Sequence, residues 1–266
     1  MKKAMRYENN ASYWDRRWSE ADPDAGFFRD LSIYPVKYSE MVVKKRNSLI
    51  AELGCGLGRI LNHYNGQGYN IIGIERSDVA VKKIKENNKA IKVLVSDVRY
   101  LPFKDESLEA ILAFGLYHNI EYGFMDALRE SIRCLKAGGN FCISIRPDNL
   151  EMRLNEYYWL FKRHREKNSG KHFHKWLIKE GEFKAMLKEV GCEVEQIFRA
   201  RNVSILWRVP FLKYRDKKEE SPQSSESKLR SGGYRLNSVG KVMDYLLTKL
   251  FPSSFCNVLV FIGRKI

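Results

Sequence analysis

Residues 49–59 read Leu-Ile-Ala-Glu-Leu-Gly-Cys-Gly-Leu-Gly-Arg, an apolar strand that ends in alternate glycines and passes directly into a helix. Glycine lacks a Cβ and accepts positive φ, so such a turn lets a ligand lie against the backbone. The spacing Gly54-x-Gly56-x-Gly58 differs from the G-x-G-x-x-G turn that seats a pyrophosphate on a helix N-terminus. Glu52, two residues ahead of the first glycine, would repel a pyrophosphate and suits a ligand with an amino group and a sulfonium cation. A second apolar run, Ile71 to Ile74, ends in Glu75, 21 residues after Gly54. From that position an acid reaches a ribose hydroxyl, and Ser77 can cap the helix that follows. A third run ends at Ser96-Asp97-Val98, and a fourth leads into Phe114-Gly115-Leu116-Tyr117-His118. His118, with an ordinary imidazole pKa of about 6.5, is the candidate general base, or alternatively a histidine that hydrogen-bonds its own loop. Tyr117 is a candidate to hydrogen-bond the substrate or the ligand's amino-acid part.

Together these segments carry a resemblance. Glu52-Leu53-Gly54-Cys55-Gly56-Leu57-Gly58 resembles motif I of the class I S-adenosylmethionine-dependent methyltransferases, type 11-like, and the later segments follow at that family's spacing. The resemblance implies S-adenosyl-L-methionine as cofactor and S-adenosyl-L-homocysteine as product. It places Glu52, Gly54, Cys55, Gly56, Gly58, Glu75 and Arg76 around the cofactor, Asp97 and the Val98 amide on the adenine, and Phe114 and Gly115 beside the methionine moiety. Leu135-Lys136-Ala137-Gly138-Gly139 resembles the family's L-x-P-G-G turn, with Ala137 replacing the proline. Tyr13-Trp14-Asp15-Arg16-Arg17-Trp18 is similar to N-terminal segments that fold over the cofactor, which makes Trp14 a candidate cover. Trp18, four residues on, is expected to pack onto the core. The likeness is good over 49–145 and looser to 191.

The elements that must position these residues alternate strand and helix. Strands are expected at 49–53, 70–75, 91–95, 109–114, 140–145, 193–200 and 257–262. Phe124, Leu128, Ile132 and Leu135 form one helical stripe, which Gly138-Gly139 should end. Phe183, Met186, Leu187 and Val190 form another, with Gly191 after it. The alternation implies an α/β, Rossmann-like, doubly wound sheet, and the family adds a closing hairpin that makes seven mostly parallel strands with the seventh antiparallel. An N-terminal helical cap over 1–48 is expected before the methyltransferase domain over 49–266. Insertions at about 146–178 and 201–255 leave from strand carboxyl ends and should wall the substrate side. The first is aromatic and basic, from Tyr157 to Trp176, and makes a helical or aromatic cap insertion. Within it His172, His174 and Trp176 share a face if the chain is extended and are candidate substrate contacts. No third ligand at a familiar spacing accompanies the two histidines, so no metal is expected. The second insertion has a polar middle, Asp216 to Asn237, expected to be flexible. It ends in an amphipathic helix at 239–251, read as core, lid or membrane-surface element.

The net charge of +15 favours an anionic partner: RNA, a phospholipid surface, or an acidic substrate. From Arg199 to Lys241 eleven Lys/Arg face four Asp/Glu, so much of this charge lies near the expected mouth. No apolar run reaches the length of about 18 residues that a transmembrane helix needs. Met1 to Tyr7 lacks the apolar core of a secretory signal, and five cysteines without C-x-x-C pairs suit reduced thiols, so a cytoplasmic location is expected. Phe114-Gly115-Leu116-Tyr117 stands where amino-group methylating enzymes carry an N-P-P-Y/F tetrapeptide, which argues against adenine and glutamine N-methylation. Three functions remain: methyl transfer to a small-molecule or lipid-like, anionic acceptor; methyl transfer to tRNA or other RNA, which Asp97 to Phe103 also resembles; and a non-catalytic binding protein built on the same fold.

Overall fold

In the computed structural model, residues 1–6, 10–21, 34–162, 170–200, 203–213 and 236–266 are described. A seven-stranded sheet organises them. Its strands are β2 (Ile50–Leu53), β3 (Ile71–Glu75), β4 (Val93–Val95), β5 (Leu108–Phe114), β6 (Leu135–Ile145), β8 (Cys192–Ala200) and β9 (Val258–Lys265), in the order β4-β3-β2-β5-β6-β9-β8. The first five are parallel, and β9 runs antiparallel between β6 and β8. Strands buried on both faces read as continuous apolar runs. In β5, Ile111 and Ala113 join the core on one face while Ala110 and Leu112 join that on the other.

Helices fill both layers. On one face α5 (Phe124–Cys134) and α7 (Glu180–Glu189) press Leu128, Ile132, Phe183 and Leu187 onto Phe141, Ile143 and Phe261. On the other, α2 (Val36–Ser39), α3 (Arg59–Gly66) and α4 (Asp78–Asn87) bring Val36, Ile60, Leu61, Tyr64 and Ile84 to Ile50, Ile71 and Leu112. Ser77 caps α4 by accepting from the Ala80 amide. The expected helix end at Gly138-Gly139 is corrected: α5 stops at Cys134, and Leu135 already opens β6, pairing with Leu108.

The cap also differs from expectation. Residues 1–48 do not begin as a helical unit. β1 (Lys2–Arg6) pairs antiparallel with β7 (His172–Leu177) from the first insertion, and α1 (Asn10–Glu20) follows. Such a pairing joins segments too far apart for local patterning to reveal. The first insertion also contributes α6 (Leu150–Lys162), and the second contributes short 3-10 turns at Ser204–Arg208 and Pro210–Leu212 and then α8 (Ser238–Leu250). The polar stretch at 214–235, and Arg163, His164 and Arg165, lie outside the described residues. Among the described residues no helix is long and apolar enough to cross a membrane.

Tyr117, a candidate site residue, is instead a core residue. It is fully buried and its hydroxyl donates to Ser131 Oγ (2.8 Å) inside α5. The 3-10 turn Tyr117–Asn119 after β5 aims this ring into the sheet–helix layer and leaves His118 to face the cleft. Tyr117→Phe is therefore expected to lower unfolding stability by about 1 kcal/mol, with ligand affinity and turnover unchanged, as thermal denaturation, titration and a methyl-transfer assay would show.

Candidate active site

The strand order reverses between β2 and β5, so the loops leaving their carboxyl ends diverge and open a crevice. A cleft of about 1330 Å³ occupies it, bounded by the loops after β2, β3, β4 and β5, by α1 and by the cap. Single small-molecule sites usually span about 300–1,000 Å³, so this one has room for a cofactor and an acceptor together.

Gly54, Gly56 and Gly58 have φ of 67°, 56° and 74°, in the left-handed region. Glu75 holds this turn from the end of β3. Its Oε2 accepts from the Gly56 amide (2.8 Å), and its Oε1 accepts from the amides of Arg76 (2.9 Å) and Ser77 (3.0 Å). A Cβ on Gly56 would lie 2.8 Å from the Trp18 ring. Trp18 thus packs against the glycine turn, not the main core as expected. Trp14 stacks on Trp18 with centroids 5.4 Å apart, and both line the cleft. A hydrogen bond from Ser77 Oγ to Asp15 Oδ1 (2.9 Å) ties α1 to the start of α4. Gly58 is a correction: it does not line the cleft. It precedes α3 in a left-handed conformation, and a Cβ there would meet Ile84 at 3.2 Å.

Glu52 is buried, and its Oε2 accepts from the Leu61 amide (2.9 Å). Burial pushes its pKa up to about 8, with the Leu61 amide pulling the other way. A cationic amino group beside it would favour the ionised form. Cys55 is buried too, and burial raises its thiol pKa well above the usual value. Asp97 is gripped by Arg99, whose Nε and Nη2 donate to its two oxygens at 3.0 and 2.7 Å. That grip holds its carboxyl below the usual range. Arg76, Val98, Phe114 and Gly115 line the same half of the cleft. The Gly115 amide donates to Ser144 Oγ (3.0 Å), which fixes the β5 exit loop. The turn, the acids and the tryptophan wall thus line one cleft, and they fit a cofactor with a ribose, an adenine and a cationic amino-acid end.

The other half of the cleft is cationic. Arg6 of β1, Arg146 at the end of β6, Lys175 of β7 and Arg208 of the Ser204–Arg208 turn line it, with Asn155, Glu156 and Trp159 of α6. Glu156 pairs with both Arg6 and Lys175 at 2.9 Å. Burial lowers the Lys175 pKa against the pull of Glu156. His118 is buried, and among the described residues its Nδ1 has no partner. Burial first, then Arg146 and Lys175, hold its pKa well below the imidazole range. His174 lines the cleft edge-on to Tyr13 and is held low by burial and Lys175. Two candidates are corrected. His172 is exposed and outside the lining, and Trp176 packs on the core with its Nε1 donating to Ile120 O (2.8 Å). Sequence reasoning missed Arg6, Arg146, Lys175 and Arg208. No strand was expected over His172–Leu177 beyond the shared face of His172, His174 and Trp176 in an extended chain, and nothing local marked β1 as its partner.

A family model described as "Methyltransferase domain" matches residues 51–143. The probable tRNA methyltransferase 9B of Mus musculus is 30% identical over 142 residues, 52% of this chain and 28% of that protein. The chain thus spans less than a third of that relative's length. The chloroplastic 2-methyl-6-phytyl-1,4-hydroquinone methyltransferase of Spinacia oleracea is 26% identical over 173 residues, 61% of this chain and 46% of that protein. The crystal structure of a SAM-dependent methyltransferase from Archaeoglobus fulgidus superposes with a TM-score of 0.58 at 15% identity, covering 97% of this chain and 100% of that one. Residues 51–143 therefore match a methyltransferase domain, and the likeness to the solved structure shows a Rossmann-like fold. The Archaeoglobus fulgidus protein is described as S-adenosylmethionine-dependent, and the turn and acids of this cleft fit that cofactor.

Two outcomes follow from this geometry. Gly56→Val should abolish binding of S-adenosylhomocysteine, read as loss of ligand-induced quenching of tryptophan emission, because a left-handed residue gains a Cβ against Trp18. Glu52 governs a pH dependence. Its folded-state pKa is raised from 4.5 to about 8, so the folded chain binds the extra proton across that window. The stability linked to it is complete below pH 4.5 and is lost as pH rises toward 8. Glu52→Gln should flatten the fall of the thermal midpoint between those pH values; an unchanged slope would remove Glu52 as its source.

Proposed function

We propose that the chain transfers a methyl group from S-adenosylmethionine to the carboxylate of a small-molecule or lipid-like acid. The observation that carries this reading is the cationic half of the cleft: Arg6 and Lys175 pair with Glu156, Arg146 acts on the same carboxylate, and Arg208, bonded to Asn155, lines the cleft with them. Among the described residues Glu156 pairs with Arg6 and Lys175, and a carboxylate entering between Arg146 and Lys175 would be stabilised by both charges in a largely water-excluded place.

The cofactor, when bound, supplies an electrophilic methyl group. The chain's own residues do the rest. The Gly54–Gly58 turn allows close approach, Glu52 and Glu75 favour the cationic and hydroxyl-bearing parts of the ligand, and Trp14 and Trp18 limit water. Aligning the nucleophile behind the methyl group can supply several kcal/mol of the barrier reduction, on the order of what intramolecular reactions gain from proximity. A carboxylate is already ionised at neutral pH, so no general base is needed. That agrees with His118, whose proton affinity is suppressed by burial and by Arg146 and Lys175. It serves better as a hydrogen-bond partner that orients the acceptor than as the base its position first suggests.

A second reading, in which the acidic acceptor is part of a tRNA, is supported by the likeness to the murine tRNA methyltransferase 9B and by the charge of +15. Incubating the protein with a methyl-labelled cofactor and a cell extract separates the two. Label that is solvent-extractable and released as methanol by mild alkali supports the small-acid reading. Alkali-labile label confined to RNA supports the second, and alkali-stable label sinks the carboxylate assignment. Lys175→Met should then raise the acceptor KM on the order of 10–100-fold, the scale of a lost charged hydrogen bond, and leave S-adenosylhomocysteine affinity unchanged.

A further inference from the structure

Helix α8 is amphipathic with its faces reversed. Toward the protein it turns Gly240, Asp244 and Leu247. Gly240 is buried, and a Cβ there would lie 2.8 Å from Leu212 O. Asp244 Oδ1 accepts from the Val203 amide (2.6 Å). Leu247 packs on the small cluster of Val203, Leu206, Leu212 and Leu236. Toward solvent the helix presents Val239, Val242, Tyr245, Leu246 and Leu250, which are 45–63% exposed. Phe251 follows at 57%, and Phe211 stands exposed beside the helix N-cap, where Asn237 Nδ2 donates to Phe211 O (2.7 Å). A surface helix ordinarily buries its apolar stripe, and a contiguous exposed apolar face marks an interaction site.

The charge around this face selects the partner. Across 203–213 and 236–256 the basic residues are Arg208, Lys213, Lys241 and Lys249, and the one acid is Asp244, turned inward to Val203. Lys241, Lys213 and Lys249 are exposed. Among the described residues of these segments, what faces outward is therefore aliphatic and aromatic side chains bordered by cations, with no carboxylate. Interfacial helices on acidic membranes have this composition, with an apolar face in the acyl boundary and lysines on anionic headgroups. RNA would reward a basic groove with stacking rings, and the aliphatic majority of this face offers it little.

We infer that α8, with Phe211 and Phe251, is a docking surface for an anionic lipid bilayer. The inference does not depend on which acceptor the cleft takes, and its test does not involve turnover. Co-sedimentation of the full chain with phosphatidylcholine vesicles, with and without phosphatidylserine, reads it directly. Wild-type protein should pellet with the acidic vesicles, less with neutral ones, and less again at high salt. The double substitution Val242→Asp/Leu246→Asp lies on exposed positions, so S-adenosylhomocysteine binding and the thermal midpoint should stay unchanged while vesicle affinity falls about tenfold or more, the scale of a large apolar side chain kept from burial. Phe211→Ser/Leu250→Ser gives the same comparison without added charge. Wild-type protein that ignores acidic vesicles, or variants that bind them equally well, would overturn the inference. So would a wild-type dimer that the substitutions make monomeric without vesicle binding, or tRNA binding that they abolish while vesicle binding persists.

Discussion

The Glu75 carboxylate is the joint on which the cofactor half depends. It receives three backbone amides, one from the glycine turn and two from the loop that starts α4. Hydrogen bonds from neutral amides to an ionised carboxylate are about twice as strong as neutral ones, and this set locks two loops from adjacent strands into one wall. A carboxylate has about four lone-pair sites, so three amides leave capacity for one further donor. The group that shapes the turn can therefore also meet a ligand hydroxyl, and the structural and binding roles need no separate residues.

Charges of both signs line the cleft. Glu52, Glu75 and Asp97 stand beside Arg59, Arg76 and Arg99, and Arg99 grips Asp97; Arg6, Arg146, Lys175 and Arg208 come from the cap elements and the β6 end, with Glu156 among them. Acids and cations from different elements thus offer contacts to both a cationic and an anionic group in one crevice. His118 is subject to the cationic half. Arg146 and Lys175 lower its affinity for a proton, and only an arriving anion would relax that field.

How much was legible in the sequence follows from how locally each feature is specified. The glycine turn, Glu52, Glu75 and Asp97 were readable because each ends an apolar strand, and a parallel sheet sets those ends side by side. The expected strands agree with β2, β3, β4, β5 and β8 to within two residues, whereas β6 begins earlier and β9 ends later than expected. Tyr117 and Trp176 were misassigned because strand spacing does not tell which way a ring points after a 3-10 turn, or which face of β7 meets the core. Arg6 and Lys175 went unseen for another reason. They enter the cleft through β1–β7 pairing across more than 160 residues, and no local pattern encodes a partner at that distance.

That long-range pairing bears on how the site is completed. β1 delivers Arg6 to the acceptor half, while α1 lays Trp14 and Trp18 on the cofactor half and is held by Asp15 on Ser77. The first 20 residues thus contribute to both walls, although they precede the glycine turn and share none of its strands. α1 packs chiefly on α4, where Ala21, Leu57 and Ala80 form a buried cluster with Trp18 and Lys83 Nζ donates to Ser19 O (2.6 Å) and Ala21 O (3.1 Å). Its edge-on contact from Tyr13 to His174 then joins it to β7. A ligand touching Trp14 and Arg6 would thus meet two elements that the same N-terminal segment sets in place.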